Sequence, residues 1–273
     1  MIKVFRNIRQ NMLSQGKNGK PALPAGRYLK YAFGEIVLVV LGILIALSIN
    51  NWNENRKERA QELAILRQLR TEFNSNLDQL DQKITIRKEK ISSTLKLFNF
   101  IDHPGQRTKD SIDMHVGRTL TYTTFDPIVN DLASSGNLRL IKNDSLKQYL
   151  SFWTSEFIQV KEDENAWLFY RNEIYVPFLV QYYQLRTIRN KILKSNVMDA
   201  HVIEGSNIED ASNILEIGMS KHKEDFNVFL DHPDYEDHLE RCFGINSFVN
   251  VQSQVLRKRI VSILDLLNQE INK

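Results

Sequence analysis

The side chains best able to do chemistry here are few. His232-Pro-Asp-Tyr-Glu-Asp-His238 gathers two histidines and several carboxylates in one short run, the donor types a zinc ion takes. Their spacing fits no compact ligand motif. A proline followed at once by acids is instead the mark of a helix start, where negative side chains face the positive end of the dipole. His103 and His115 flank a predicted loop with no Cys or Glu-x-x-His pattern beside them, and are expected at the surface. Cys242 is the only cysteine, so no disulfide can form within the chain and the thiol reads as a small buried apolar group. G-x-S-x-G, a phosphate loop, a dinucleotide fingerprint and H-E-x-x-H are all missing from the sequence. The expectation is a protein that is not an enzyme, with no catalytic residue, no metal and no cofactor.

A second group suggests binding. Ser134-Ser135-Gly136-Asn137 followed by Leu138-Arg139-Leu140-Ile141 predicts a turn, with Gly136 at positive φ, leading into a short extended piece. In such a piece Arg139 points opposite Leu138 and Leu140, where it either neutralises a buried carboxylate or binds an anionic ligand. Downstream, Trp153, Phe157, Trp167, Phe169, Tyr170, Tyr175, Phe178, Tyr182 and Tyr183 crowd one stretch. Some must fill the core, but they occupy more faces than one seam can hold. The surplus makes Arg139, Trp153, Trp167 and Tyr170 the candidate ligand or partner surface.

The elements that must position these residues begin with YAFGEIVLVVLGILIALSINNW, residues 31–52. As a helix this run spans about 33 Å, against a bilayer core of about 30 Å. Tyr31 and Trp52 fall where aromatic belts fall, and Glu35 sits near one interface. The alternative is a signal peptide, since Ala46-Leu47-Ser48 imitates a cleavage site. Gly42 and Ala46 lie four apart, the spacing that lets two membrane helices approach closely and so allows a homodimer. Residues 1–30 hold seven Lys and Arg and no acid, which predicts a basic cytoplasmic tail with the remainder outside. Within it, Ile2, Phe5, Ile8 and Met12 recur at helical spacing among basic residues, as in a helix lying on an anionic leaflet or a plain basic tail. GKNGKPALPAG then reads as a linker.

Residues 53–273 read as one helical domain. Leu66, Leu69, Phe73, Leu77, Leu80 and Ile84, then Ile91, Leu95 and Phe98, form a coiled-coil-like seam with a basic interruption at Arg87 and Lys88, ending at Asp102-His103-Pro104. A second helix starts at Asn143 or Asp144, with Leu146, Leu150, Trp153, Phe157, Val160, Trp167, Tyr170 and Ile174 on one face and Glu164 as a polar break before Pro177. A third pattern covers FLVQYYQLRTIRNKIL, and a fourth places Val249, Leu256, Ile260, Ile263 and Leu267 on one stripe. Residues 196–220 are irregular. The fold class is all-α, with one membrane helix continuing into a long stalk-like helix and an antiparallel helical bundle. Most of the formal charge of +3 comes from the N-terminal tail, and the slightly acidic domain argues against nucleic acid.

Residues 34–58, GEIVLVVLGILIALSINNWNENRKE, together with Met1–Leu13, MIKVFRNIRQNML, resemble the opening of a bacterial membrane family, domain-of-unknown-function family 6090. FDPIVNDLASSGNLRLIKNDSLKQYL at 125–150 is similar to a second segment of that family. The resemblance implies an inner-membrane anchor with the bulk of the chain in the periplasm, and brings no activity, ligand or catalytic residue.

Two functions follow as expectations. The first is a membrane-anchored interaction or scaffold protein whose partners are the lipid bilayer and another membrane or periplasmic protein. The alternative is a periplasmic ligand-sensing module signalling through a partner, which requires an apolar cavity among Trp153–Tyr183.

Overall fold

The computed structural model describes residues 25–128, 137–194, 217–218, 220–222 and 225–273. Side chains are described from residue 32 onward, except at residues 137 and 190–194. The basic run 1–13, its linker up to Pro24, the turn at Ser134–Gly136 and most of the irregular stretch 196–220 lie outside the described residues. Among those described, all regular structure is helical. The chain divides into two compact units, one reaching Gln61 and the other Glu62–Lys273.

Helix α1, Ala25–Asp102, carries both the apolar segment and the seam. No proline interrupts it until Pro104, which can neither donate a hydrogen bond nor be preceded comfortably by helix, and a single 3-10 turn follows at Pro104–Gln106. Helix α2 is Lys109–Thr119, with Asp110 in its first turn and Arg118 in its last, matching the dipole. Helix α3, Asp144–Tyr170, starts where expected: the Asn143 side chain accepts from the Leu146 amide at 2.9 Å. It widens into a π turn, Arg171–Tyr175, before α4, Val176–Tyr182. Pro177 has no amide hydrogen to give, and its ring crowds the preceding turn; the wider turn accommodates both effects. Short helices α5, Leu185–Lys194, and α6, Phe226–Leu230, precede α7, Pro233–Ile271. His232 caps α7 by accepting from the Asp234 amide at 3.2 Å.

Three long elements of the second unit pack together: the latter part of α1, α3 and α7. Asp81 pairs with Arg257, Arg87 with Ser253, Lys90 with Asn246 and Thr94 with Cys242, so α7 descends as α1 ascends. Phe73 meets Trp153 and Arg87 meets Glu164, so α3 ascends with α1. This is possible because Ile128 and Lys142, in the described parts of the connection 103–143, lie beside Asn76 and Glu62 of α1. The connection's extended part is strapped to α1 by side-chain amides. Gln79 binds both the amide and the carbonyl of Asp126 at 2.9 and 3.2 Å, and Asn76 does the same for Ile128 at 2.7 and 3.0 Å. Each of these side chains presents a donor and an acceptor, the two groups a neighbouring strand would supply.

The core forms two apolar clusters. One centres on Leu66, Phe73, Leu80, Trp153, Phe157 and Ile260. The other centres on Leu97, Val116, Trp167, Tyr175, Phe178 and Tyr235.

Several expectations are corrected. Arg87 does not interrupt the seam but lies on it, fully buried, with Lys90 one turn on; Lys88 alone faces water. The buried stripe therefore continues through Lys90, Thr94 and Leu97, leaving Leu95 exposed. Ile174 is exposed because the π turn rotates it off the α3 face. His115 sits in α2, mostly buried, rather than at a loop edge. Asn137–Leu140 forms a 3-10 turn instead of an extended piece, since a helical turn lets Leu138 pack on the first cluster while Ile141 enters it.

Candidate functional site

In the first unit the apolar residues from Phe33 to Ile49 stand exposed along α1. This is one helix long and apolar enough to cross a membrane. Glu35, Gly42 and Ala46 are exposed on it, and a Cβ added at Gly42 would meet nothing within 4 Å. Trp52 is exposed with the Arg56 guanidinium 5.9 Å from its ring. Tyr31 belongs to the same helix.

The second unit buries several charged side chains. Between the two apolar clusters lies a polar layer built from one residue or more of each long helix. The Arg87 guanidinium donates to Glu164 Oε1 at 2.5 Å, to Ser253 Oγ at 2.7 Å and to Thr123 Oγ1 at 3.1 Å. Glu164 Oε1 also accepts from Thr123 Oγ1 at 3.1 Å, and Oε2 from the Phe125 amide at 2.6 Å. Both side chains are 1% exposed. Burial pushes the carboxyl of Glu164 up and the guanidinium of Arg87 down, while each attracts the other back toward its charged form. A pair so fully hydrogen-bonded is the arrangement in which buried ions are tolerated.

One turn along α1, the Lys90 ammonium donates to Asn246 Oδ1 at 3.0 Å and lies 5.1 Å from the Trp167 ring centre. Burial pushes Lys90 down to about 7, with Arg87 and Arg171 adding repulsion. Asn246 passes its own amide to the Cys242 carbonyl at 2.7 Å. The thiol of Cys242 lies 3.5 Å from Thr94 Oγ1, and burial pushes it up to about 11. A lysine lowered to about 7 and a thiol raised to about 11 are the chemistry of a sealed interior. A lysine near 7 has the basicity of a nucleophilic amine, but Lys90 is 0% exposed beneath Trp167.

The second cluster has its own polar contacts. Tyr170 Oη and His238 Nδ1 are 2.7 Å apart, with burial raising the phenol and lowering the imidazole, so neither is charged. Tyr183 donates to Asp113 at 2.5 Å, Tyr175 Oη meets Thr119 Oγ1 at 2.8 Å, and His115 Nδ1 meets Ser93 Oγ at 3.1 Å. Burial pushes His115 down to about 4. His232 and His238, six residues apart, therefore serve separately as a helix cap and a core partner.

The candidate binding residues do not assemble. Trp153 belongs to the first cluster, between Phe73 and Phe157. Trp167 lies in the second, where its ring centre is 6.1 Å from that of Tyr170. Trp153 at 4% and Trp167 at 2% exposure cannot form a partner surface. Arg139 is exposed on its 3-10 turn. The polar layer went unread because Arg87 and Glu164 each look like a flaw in an apolar stripe. Two such breaks of opposite charge, on two helices, were the available signal that the breaks meet.

Residues 35–146 match the model of a family of unknown function, DUF6090, the family that the sequence resembles at 34–58 and 125–150. No curated protein and no solved structure matches the chain.

Proposed function

We propose that the chain is a membrane-anchored interaction or scaffold protein, held in the inner membrane by α1 with its N-terminus cytoplasmic and its helical domain periplasmic. The exposed apolar run of α1 supports the anchor, because uncovered side chains from Phe33 to Ile49 are at home only against lipid or another apolar surface. One observation carries the non-enzymatic reading: among the described residues, the buried titratable groups are engaged by polar neighbours inside the domain. Arg87 faces Glu164, Lys90 faces Asn246 and Tyr170 faces His238. On this reading function lies in tethering and surface, and confinement to a bilayer raises effective concentration without any new contact.

Exchanging α1 for a cleavable signal peptide tests this. Export of a folded domain that no longer complements a deletion supports tethering as the function. Full complementation by the released domain, or loss of function on replacing His103, His232 or Cys242 in a folded protein, overturns it. Alkaline phosphatase fused to the C-terminus reads the orientation, and an inactive fusion on an intact chain reverses it.

A further inference from the structure

The two apolar clusters differ in one chemical respect. The first contains no histidine. Beside the second stand three: His115 in α2, His232 capping α7, and His238 within α7. Each holds its neighbours as a neutral ring. His232 Nδ1 accepts from the Asp234 amide at 3.2 Å, at the positive end of a 39-residue helix. A protonated ring has no lone pair left to accept with. His115 and His238 are each 9% exposed, and burial lowers both, His115 to about 4.

The three rings tie separate elements together. His115 Nδ1 reaches Ser93 Oγ of α1 at 3.1 Å, and its ring centre lies 6.1 Å from that of Phe100. His238 meets Tyr170 of α3 at 2.7 Å, and its ring centre is 5.7 Å from Tyr175 of the π turn and 4.3 Å from Phe178 of α4. Phe178 is also 5.3 Å from the His232 ring, so two imidazoles share one phenyl. The groups facing His115 are mostly basic. Lys96 of α1 and Arg118 of α2 repel a further cation, and α5, packed on α2, brings Arg186 and Arg189 but no acid. Asp113 of α2 is engaged by Tyr183 and Lys109. Around His238, Asp234 and Asp237 of its own helix favour the charged ring, His232 opposes it, and burial outweighs all three. Arg241 lies over the Tyr170 ring, and Arg171 of the π turn donates to the Leu120 carbonyl. Beside His232, Tyr182 of α4 is 4.5 Å away ring to ring, and Asp231 is held by Arg107.

We propose that the half of the domain built on the second cluster is an acid-operated latch: proton uptake by His115, His232 and His238 parts α2 and the first turns of α7 from α1, α3 and α4, while the first cluster stays shut. The opened half presents Tyr175, Phe178 and Tyr235, all buried in the closed form, so the chain gains an aromatic surface only in acid. The proposal goes beyond the tethering reading and does not depend on it.

An imidazole released to water takes its proton at about 6.5, so opening is favoured as pH falls below that value. With a closed-state value of about 4, His115 alone favours opening about fifteenfold between pH 6.5 and pH 5. His238 acts in the same direction. Lys90, at about 7 when closed, is largely protonated in both states across this window and contributes little. Glu164, whose carboxyl burial pushes up, takes its proton first in the closed state and so opposes opening.

The test is amide hydrogen exchange read by mass spectrometry on the full-length chain in detergent, at about pH 6.5 and about pH 5, each rate divided by the intrinsic rate at that pH. Protection in α2, in α4 and at 233–245 should fall at least about tenfold, and protection at 66–84 and 256–267 should hold. Equal loss in both halves, or loss in neither, overturns the proposal. The triple variant His115→Gln, His232→Ser, His238→Gln keeps a hydrogen-bonding side chain at each site, with serine a good cap, and none of the three takes a proton. It should show no acid loss in the second half; a loss equal to the parent's overturns the proposal. The readout is a ratio between two pH values, so a weakened variant still decides. If the triple variant does not fold, His115→Gln alone should remove about fifteenfold of the change, and an unchanged ratio overturns the proposal. His103→Gln, at an exposed ring, should leave the ratio as it is, and an acid response abolished there overturns it too.

Discussion

Replacing Glu164 by Leu should unfold the polar layer from its centre. Among the described residues the carboxylate is the one acid paired with Arg87, and it also holds the Thr123 hydroxyl and the Phe125 amide. Removing one member of a buried pair strands the other charge, at a cost of about 3–5 kcal/mol, so about 4 kcal/mol is expected for Glu164→Leu. Arg87→Met should cost less, about 2–3 kcal/mol. Glu164 keeps its bonds to Thr123 and Phe125, and a carboxyl already pushed up by burial can take a proton instead of standing charged. The double variant leaves no buried charge, and its main debt is the unpartnered Phe125 amide, about 1–3 kcal/mol. The two substitutions together should therefore be about as stable as Arg87→Met alone and more stable than Glu164→Leu, a coupling of at least about 3 kcal/mol. Guanidinium denaturation of the full-length chain in detergent, followed by circular dichroism at 222 nm, measures all corners of the cycle. Additivity within about 0.5 kcal/mol would refute the claim that these two residues form one unit.

Three further outcomes are expected. Stability should rise with pH between 7 and about 8.5, because an unfolded Lys90 keeps its proton up to about 10.4 while the native one gives it up at about 7. The slope approaches 1.4 kcal/mol per pH unit at most. Above that window Cys242, pushed up to about 11, acts in the opposite sense, since the unfolded thiol ionises first. Lys90→Met should flatten the rise, and parallel pH profiles for variant and parent would contradict the assignment. Trp153→Ala should cost about 3–5 kcal/mol, whereas Phe169→Ala, at an exposed ring, should stay within about 0.5 kcal/mol; equal denaturation midpoints would place Trp153 outside the core. Asn76→Ala should release the strap locally, so that hydrogen exchange speeds up at the Ile128 amide but not in α7. Unchanged exchange at Ile128 would mean the strap is held by packing alone.

The sequence spoke most clearly where local chemistry decides. The end of α1 at Asp102 follows from Pro104, the start of α3 from the Asn143 cap, and the start of α7 from His232-Pro233. The seam from Leu66 to Ile84 follows from apolar spacing alone. Beyond Ile84 spacing misleads, because the helix keeps its buried face by placing Arg87, Lys90 and Thr94 on it, and the partners that make this tolerable lie far along the chain. Choosing apolar positions instead put Leu95 in the core, where it is not. The strap was equally illegible: residues 121–128 have no periodicity of their own, and their partners are the side chains of Asn76 and Gln79, ordinary polar positions of a helix. The candidate surface was misplaced for a related reason. Composition counts aromatic rings but cannot say which belong to which of two cores, and Trp153 and Trp167 fell into different ones.

The polar layer also sets a timetable for biosynthesis. Arg87 leaves the ribosome 77 residues before Glu164 and 166 residues before Ser253. At about 5–20 residues per second, the arginine waits about 4–15 s for its counter-ion and about 8–33 s for the helix that closes over it. Until Glu164 arrives, burying this part of the α1 seam would trap an unanswered charge, and until α7 arrives the Ser253 contact is missing. Final closure of the layer waits until α7 emerges with Asn246 and Ser253. Chains truncated before Ser253 should accordingly be recognised as unfinished and cleared, however much of α1 and α3 they contain.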